Sequence, residues 1–282
     1  MEIIKTRSEL SKYLENKRIN HSAIGFVPTM GALHQGHISL ISQSAAQNDL
    51  TVVSIFVNPR QFNDKSDFDK YPRNIEADIK LLEVSGCNVL FLPEYNDLFT
   101  KETSVVVDLG GLDALWEGAF RPGHFQGVVE VVDALFDAVQ PHKAYFGRKD
   151  FQQLLIIKKL AEQRYPTIEI IECEIIREPD GLAMSSRNSR LDVEGRKAAG
   201  SINRILSECQ VMAVQHATVK QVADFAMNSL QLVPGLKTEY IAVCDKNTLF
   251  SAPAEKSACG YMLLVAVWCA GVRLIDNFYL KG

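Results

Sequence analysis

Over its first 175 residues the chain alternates short β-rich runs with segments of helical periodicity, and few folds accommodate that pattern. Strands are predicted at Ala23–Val27, Leu50–Val57, Val89–Leu92, Ala144–Gly147 and Thr167–Ile176, and helices at Ile38–Gln47, Asn74–Ser85, Gly127–Val139 and Phe151–Arg164. The expected result is an α/β, doubly wound parallel sheet covered by helices on both faces, with its ligand site at the carboxyl ends of the strands. After about residue 180 the pattern changes to two helices, Val193–Val214 and Thr218–Leu232, and three strand-like runs, Thr238–Val243, Met262–Trp268 and Val272–Phe278. A smaller C-terminal α+β domain is therefore expected over 177–282, joined to residues 1–176 near Arg177–Gly181. At 282 residues and 47% apolar, the chain has enough core-forming material for one large domain or two modest ones.

The segment between the first predicted strand and its helix reads Pro28-Thr-Met-Gly-Ala-Leu-His-Gln-Gly-His37. Amide groups in a helix's first turn lack partners within the helix, and the helix dipole places partial positive charge there, so such a junction holds phosphate without a lysine. Gly31 and Gly36 let the main chain approach a ligand. His34 and His37, three residues apart, share one helical face and can donate to the same phosphate, relieving charge on a departing pyrophosphate. The pair also fits one packed and one solvated imidazole, or a zinc site, although neither H-E-x-x-H nor a cysteine pairing accompanies it.

Four further segments carry chemistry. Asn58 and Gln61 leave the second strand at the same sheet edge, where amides orient a hydroxyl or carboxylate without adding charge; Asn58-Pro59 also reads as an ordinary turn. Gly147-Arg148-Lys149-Asp150 stands at another strand-to-helix turn: Gly147 allows close approach, Lys149 neutralises phosphate, and Asp150 caps the helix or accepts from a ribose hydroxyl. The loop Gly118–Gly127, with Arg121 and His124, either covers a ligand or connects two elements. Met184-Ser185-Ser186-Arg187-Asn188 offers two hydroxyls and a guanidinium as a phosphate clamp from the second domain, which would let an interdomain cleft close over ATP.

Seven motifs stand in one order: P-T-M-G-A-L-H-Q-G-H, V-N-P-R-Q-F, Y-P-R at Tyr71–Arg73, R-P-G-H-F-Q-G-V, A-Y-F-G-R-K-D-F-Q-Q-L, M-S-S-R-N and R-L-I-D-N at Arg273–Asn277. Collinear from residue 24 to residue 277, they resemble the pantothenate synthetase family, the pantoate:β-alanine ligases. The resemblance implies a Rossmann-like domain of nucleotidyltransferase type and a C-terminal lid. It also implies ATP-dependent condensation of (R)-pantoate with β-alanine to pantothenate, AMP and pyrophosphate through a pantoyl adenylate. Carried to matching positions, it puts Met30, Gly31, Ala32, Leu33, His34, Gln35, Gly36 and His37 along ATP, with His34, His37 and Lys149 catalytic. Gly147, Arg148, Lys149 and Asp150 would hold ribose and phosphate, Ile176 would flank adenine, and Met184, Ser185, Ser186 and Arg187 would complete the ATP contacts. Gln61 and Gln153 would hold pantoate, Gln61 would also face β-alanine, and Pro28, Phe56, Val131 and Val132 would line the geminal methyls. Magnesium is expected with ATP. Asp67, Asp69 and Asp78 are considered as its ligands, and none is assigned. A homodimer is also implied. Gln35, Gln126 and Arg148 depart from residues common in the family, which bears on charge near the phosphates and not on the reaction class.

A nucleotidyltransferase of the H-x-x-H type acting on another small substrate shares the loop and the sheet. A tRNA synthetase would need a basic extension, against a net charge of −4. A non-catalytic nucleotide sensor would bind ATP without turnover. No run is long enough for a membrane span and Met1–Arg7 lacks a signal-peptide core, so a soluble cytoplasmic protein is expected, without nucleic-acid or membrane partners. Six scattered cysteines read as reduced, mostly buried thiols.

Overall fold

Leu50–Ile55 is buried at every position, as a strand with neighbours on both sides and helices on both faces must be. The computed structural model that contains it describes residues 1–99 and 105–281. Its elements are β1 (Glu2–Ile4), α1 (Arg7–Ile19), β2 (Ile24–Thr29), α2 (Gln35–Gln47), β3 (Leu50–Ile55), α3 (Lys65–Asp69), α4 (Ile75–Glu83), β4 (Val89–Phe91), α5 (Tyr95–Leu98), α6 (Trp116–Phe120), α7 (His124–Val139), β5 (Lys143–Gly147), α8 (Phe151–Arg164) and β6 (Glu169–Cys173). There follow α9 (Val193–Val214), α10 (Val219–Gln231), β7 (Leu236–Cys244), β8 (Met262–Cys269) and β9 (Val272–Tyr279).

The chain forms two compact units. The first comprises Met1–Asp113, Gly118–Arg148 and Gln153–Glu174, and the second Ala114–Glu117, Lys149–Gln152 and Ile175–Gly282. In the first, six parallel strands lie in the order β1-β4-β3-β2-β5-β6. Right-handed crossovers in that order put α2 and α4 on one face and α1, α7 and α8 on the other, the doubly wound α/β arrangement expected. In the second unit, β7, β8 and β9 form an antiparallel sheet. The buried stripes Ala198, Ile202, Ile205, Cys209 of α9 and Val219, Val222, Ala226, Leu230 of α10 share one apolar core with Leu263, Val265, Val267 and Leu274 of the sheet.

Sequence periodicity passes over β1 and α1. β1 has three residues and one neighbour, too few for a pattern. α1 buries only Leu10 and Leu14, yet it carries a start signal: Thr6 Oγ1 accepts from Glu9 N and donates to the Glu9 carboxylate. The fifth predicted strand overruns, since β6 ends at Cys173 and Glu174–Ile176 leave the sheet.

Candidate active site

From β2 the chain steps through β3 to β4 on one side, and β5 and β6 lie on the other, so the strand order reverses between β2 and β5. In such sheets the turn after the strand at the reversal is where a ligand is held. β2 ends at Thr29, whose hydroxyl donates to Ser54 O (2.8 Å) and accepts from Gly31 N (3.2 Å). Gly31 (φ +77°) and Ala32 (φ +49°) then both adopt the left-handed region. For alanine this conformation costs roughly 1–2 kcal/mol, so something outside the loop must hold it. Asp78 of α4 does: Oδ2 accepts from Ala32 N (2.9 Å) and Oδ1 from Leu33 N (2.8 Å). Leu33 then enters the core beside Val27, Ile41 and Val53.

His34 is the N-cap of α2, which explains why the helix starts three residues before its apolar periodicity. Its Nδ1 accepts from Gly36 N (3.1 Å), while His37 Nδ1 accepts from His34 N (3.3 Å), a reciprocal capping box built from two imidazoles. The rings lie 4.1 Å apart between centroids. Accepting at Nδ1 makes Nε2 the N–H donor of each neutral ring. The local fold thus sets both tautomers so that two donors stand at the positive end of a thirteen-residue helix.

Asn58 is fully buried; Nδ2 donates to Gly127 O (2.9 Å) and Oδ1 accepts from Arg60 N (3.2 Å). It is a clamp that ties the short turn Pro59–Gln61 to α7. The packing is close enough that a Cβ on Gly127 would lie 2.4 Å from Arg60 O. Gln61, half-buried, donates from Nε2 to Met30 Sδ. Its carbonyl accepts from His124 Nδ1 (2.7 Å) and from Arg121 (3.4 Å), while the Arg121 guanidinium donates to His124 Nε2 (3.0 Å). The segment expected as a loop is largely helical: Arg121 in the turn between α6 and α7, and His124 at the first position of α7, therefore fix the backbone of Gln61. Phe56, Val131 and Val132 are buried and Pro28 is half-buried.

Gly147 has open space where a Cβ would be. The Arg148 guanidinium is directed to Glu174 (2.6 Å) and Glu172 (3.8 Å). Of the two adjacent glutamines, Gln152 is committed to structure: Oε1 accepts from Glu117 N (3.0 Å) and Nε2 donates to Leu115 O (2.8 Å). Gln153 is half-buried in the first unit.

Within the second unit, Lys149 O accepts from Asn277 Nδ2 (2.9 Å), and Asp150 is exposed at the head of α8. Ile176 O accepts from Met184 N (3.0 Å), so Ile176 and Met184 close a narrow hairpin. Ser185 caps the short turn Ser186–Arg190 by accepting from Arg187 N (3.3 Å). Beneath the hairpin lie paired charges. Arg177 is bidentate to buried Asp276 (2.6 and 3.0 Å), and Arg196 reaches Glu178 (2.5 Å) and Asp180 (2.6 Å). Hydrogen bonding to Arg196 holds the Glu178 carboxyl below its ordinary pKa. Asn188 Nδ2 joins Glu178 (2.7 Å) to Ala183 O (3.1 Å).

Among the described residues no group of three or more His, Cys, Asp or Glu side chains is arranged to hold a metal ion, and both Asp78 oxygens already accept amides. A protein cage for magnesium does not fit these residues. No helix among them is long and apolar enough to cross a membrane. Burial pushes the Cys87, Cys209 and Cys244 thiols up to about 12 and Cys173 to about 11, values that disfavour the reactive thiolate.

A family model described as pantoate-beta-alanine ligase matches residues 2–279. The pantothenate synthetase of Bacteroides fragilis is 44% identical over 281 residues, covering 100% of this chain and 99% of its own. The crystal structure of pantothenate synthetase from Thermus thermophilus superposes with a TM-score of 0.91 at 38% identity, covering 100% of both chains. That of pantoate-beta-alanine ligase from Francisella tularensis, complexed with beta-gamma ATP and beta-alanine, gives 0.80 at 33% identity over 99% of this chain and 98% of that one. Matched from end to end in sequence and in fold, the chain belongs to the pantoate-beta-alanine ligase family.

Proposed function

We infer that the chain catalyses the ATP-dependent ligation of pantoate to β-alanine (EC 6.3.2.1), the reaction of its family, and that it does so through a pantoyl adenylate. A carboxylate is a poor electrophile. Its oxygen attacks the α-phosphorus of ATP, and the bond to the bridging oxygen breaks with its electron pair leaving on pyrophosphate. The β-alanine amine then attacks the acyl carbon, AMP departs, and the amine proton passes to the medium. Proximity and charge stabilisation suffice for both steps, with no covalent enzyme nucleophile.

The observation that carries this reading is the reciprocal capping of His34 and His37, which sets two Nε2–H donors at the N-terminus of α2 beside the sheet reversal. On this reading those donors take up the charge of the departing pyrophosphate, and the backbone of Met30–His37 carries the ATP phosphates. Gly147–Asp150, Ile176 and Met184–Arg187 add contacts to ATP, with Lys149 neutralising phosphate. Gln61 and Gln153 orient pantoate, a role supported by the bonds that fix Gln61 and by the structural commitment of Gln152 in place of Gln153. Nucleotide and pantoate binding thus fall mainly to residues 1–176, with 177–282 as the smaller domain. Magnesium enters on the oxygens of ATP, and the working form is a cytoplasmic homodimer, which size-exclusion chromatography checks. Pantoate labelled with heavy oxygen in its carboxylate is expected to deliver one label to AMP. Label confined to pantothenate would exclude the adenylate.

A further inference from the structure

We propose that Asp78 is the positioning residue that presents the histidine loop to ATP, an inference that rests on reading that loop as the ATP site. Forty-five residues separate Asp78 from Leu33, yet its two oxygens accept the consecutive amides of Ala32 and Leu33, and the residue is 3% exposed. The loop lies directly on the carboxylate: a Cβ at Gly31 would stand 3.0 Å from Asp78 Oδ2 and 3.1 Å from Ile55 Cγ2. Gly31 and Ala32 both hold positive φ, and the imidazole capping box begins at the next residue after Leu33. A shift of 31–33 therefore carries both histidines with it. The charge has the wrong sign to attract phosphate, which fits a group selected for the amides it holds. A carboxylate offers both amides an acceptor, whereas the isosteric asparagine must turn its NH₂ toward one of them.

The test uses the full chain with Asp78→Asn, reading ATP and pantoate affinity by calorimetry and pantoate-dependent pyrophosphate exchange at low and high magnesium. The folded variant is expected to bind pantoate as before, to bind ATP more weakly, and to exchange about 10²-fold more slowly at either magnesium level, the penalty of a small misplacement. Unchanged ATP affinity and exchange would overturn the proposal. So would a defect relieved by magnesium, which would make Asp78 a metal ligand, or equal loss of both substrates. Should the variant not fold, amide exchange in the unaltered protein decides: the Ala32 and Leu33 amides are expected to be protected without ATP, and exchange at open-loop rates would overturn the proposal. If ATP leaves exchange across 31–37 unchanged while those two amides stay protected, the site reading fails separately from the hold of Asp78 on the loop.

Discussion

The histidine loop and the hairpin that carries Met184–Arg187 are both short irregular segments, and they are held by opposite means. The loop is fixed by one buried carboxylate, one threonine hydroxyl and its own imidazole caps, with a non-glycine residue kept at positive φ. The hairpin carries one bidentate pair, Arg177 with Asp276, and a mesh in which Glu178, Asp180, Asn188 and Arg196 share partners. The first arrangement uses little charge and leaves the helix N-terminus positive for an anion. The second tolerates charge because each guanidinium is matched by a carboxylate. A loop built the first way is sensitive to single changes, and one built the second way should fail gradually, except at the pair whose carboxylate, Asp276, is buried.

That exception gives the largest expected effect. Asp276→Ala leaves Arg177 without its bidentate partner and is expected to lower stability by about 3–5 kcal/mol, read by denaturant unfolding. A loss under 1 kcal/mol would show the pair to be redundant. His37→Ala removes one preorganised donor and should slow pyrophosphate exchange about 10²–10³-fold, with the protein still folded. Near-normal exchange would take His37 out of the mechanism. Gly127→Ala drives a methyl into the backbone of Arg60 and Gln61, costing about 1–3 kcal/mol and raising the KM for pantoate more than for ATP. Equal changes in both constants would separate Gln61 from pantoate.

Arg196→Ala should cost about 1 kcal/mol at neutral pH, since the site is partly exposed. The sign of its pH dependence follows from Glu178, whose carboxyl is held below its ordinary value by Arg196. That contribution is present above the unfolded glutamate pKa of about 4.3 and is lost as pH falls through the lower folded value. The stability gap between the two proteins is therefore expected to close below about pH 4. A gap independent of pH would mean that Arg196 acts through packing alone.

The same contrast explains what can be read from sequence. The sheet, five of its six strands and the change to α+β are visible because hydrophobic period is local. Periodicity starts the second helix at Ile38 and not at Gln35 because histidine is an unusual cap, although the spacing of His34 and His37 is that of a capping box. Asp78 is one of three candidates for magnesium in the sequence. Its partners lie forty-five and forty-six residues away, and only the fold joins them. The role of Arg121 and His124 is open between lid and connector for the same reason, since their acceptor is a backbone carbonyl that carries no sequence signature. Arg177 and Asp276, ninety-nine residues apart, fall in the same class. Capping and periodicity are legible; long-range bonds made by side chains are not.

The measurement that bears most directly on this account is exchange of labelled pyrophosphate into ATP, with magnesium and pantoate present and β-alanine absent. The account predicts exchange that requires pantoate, since formation of the adenylate is reversible and needs no amine. Folded, ATP-binding protein that shows no exchange, or that exchanges equally well without pantoate, would contradict it.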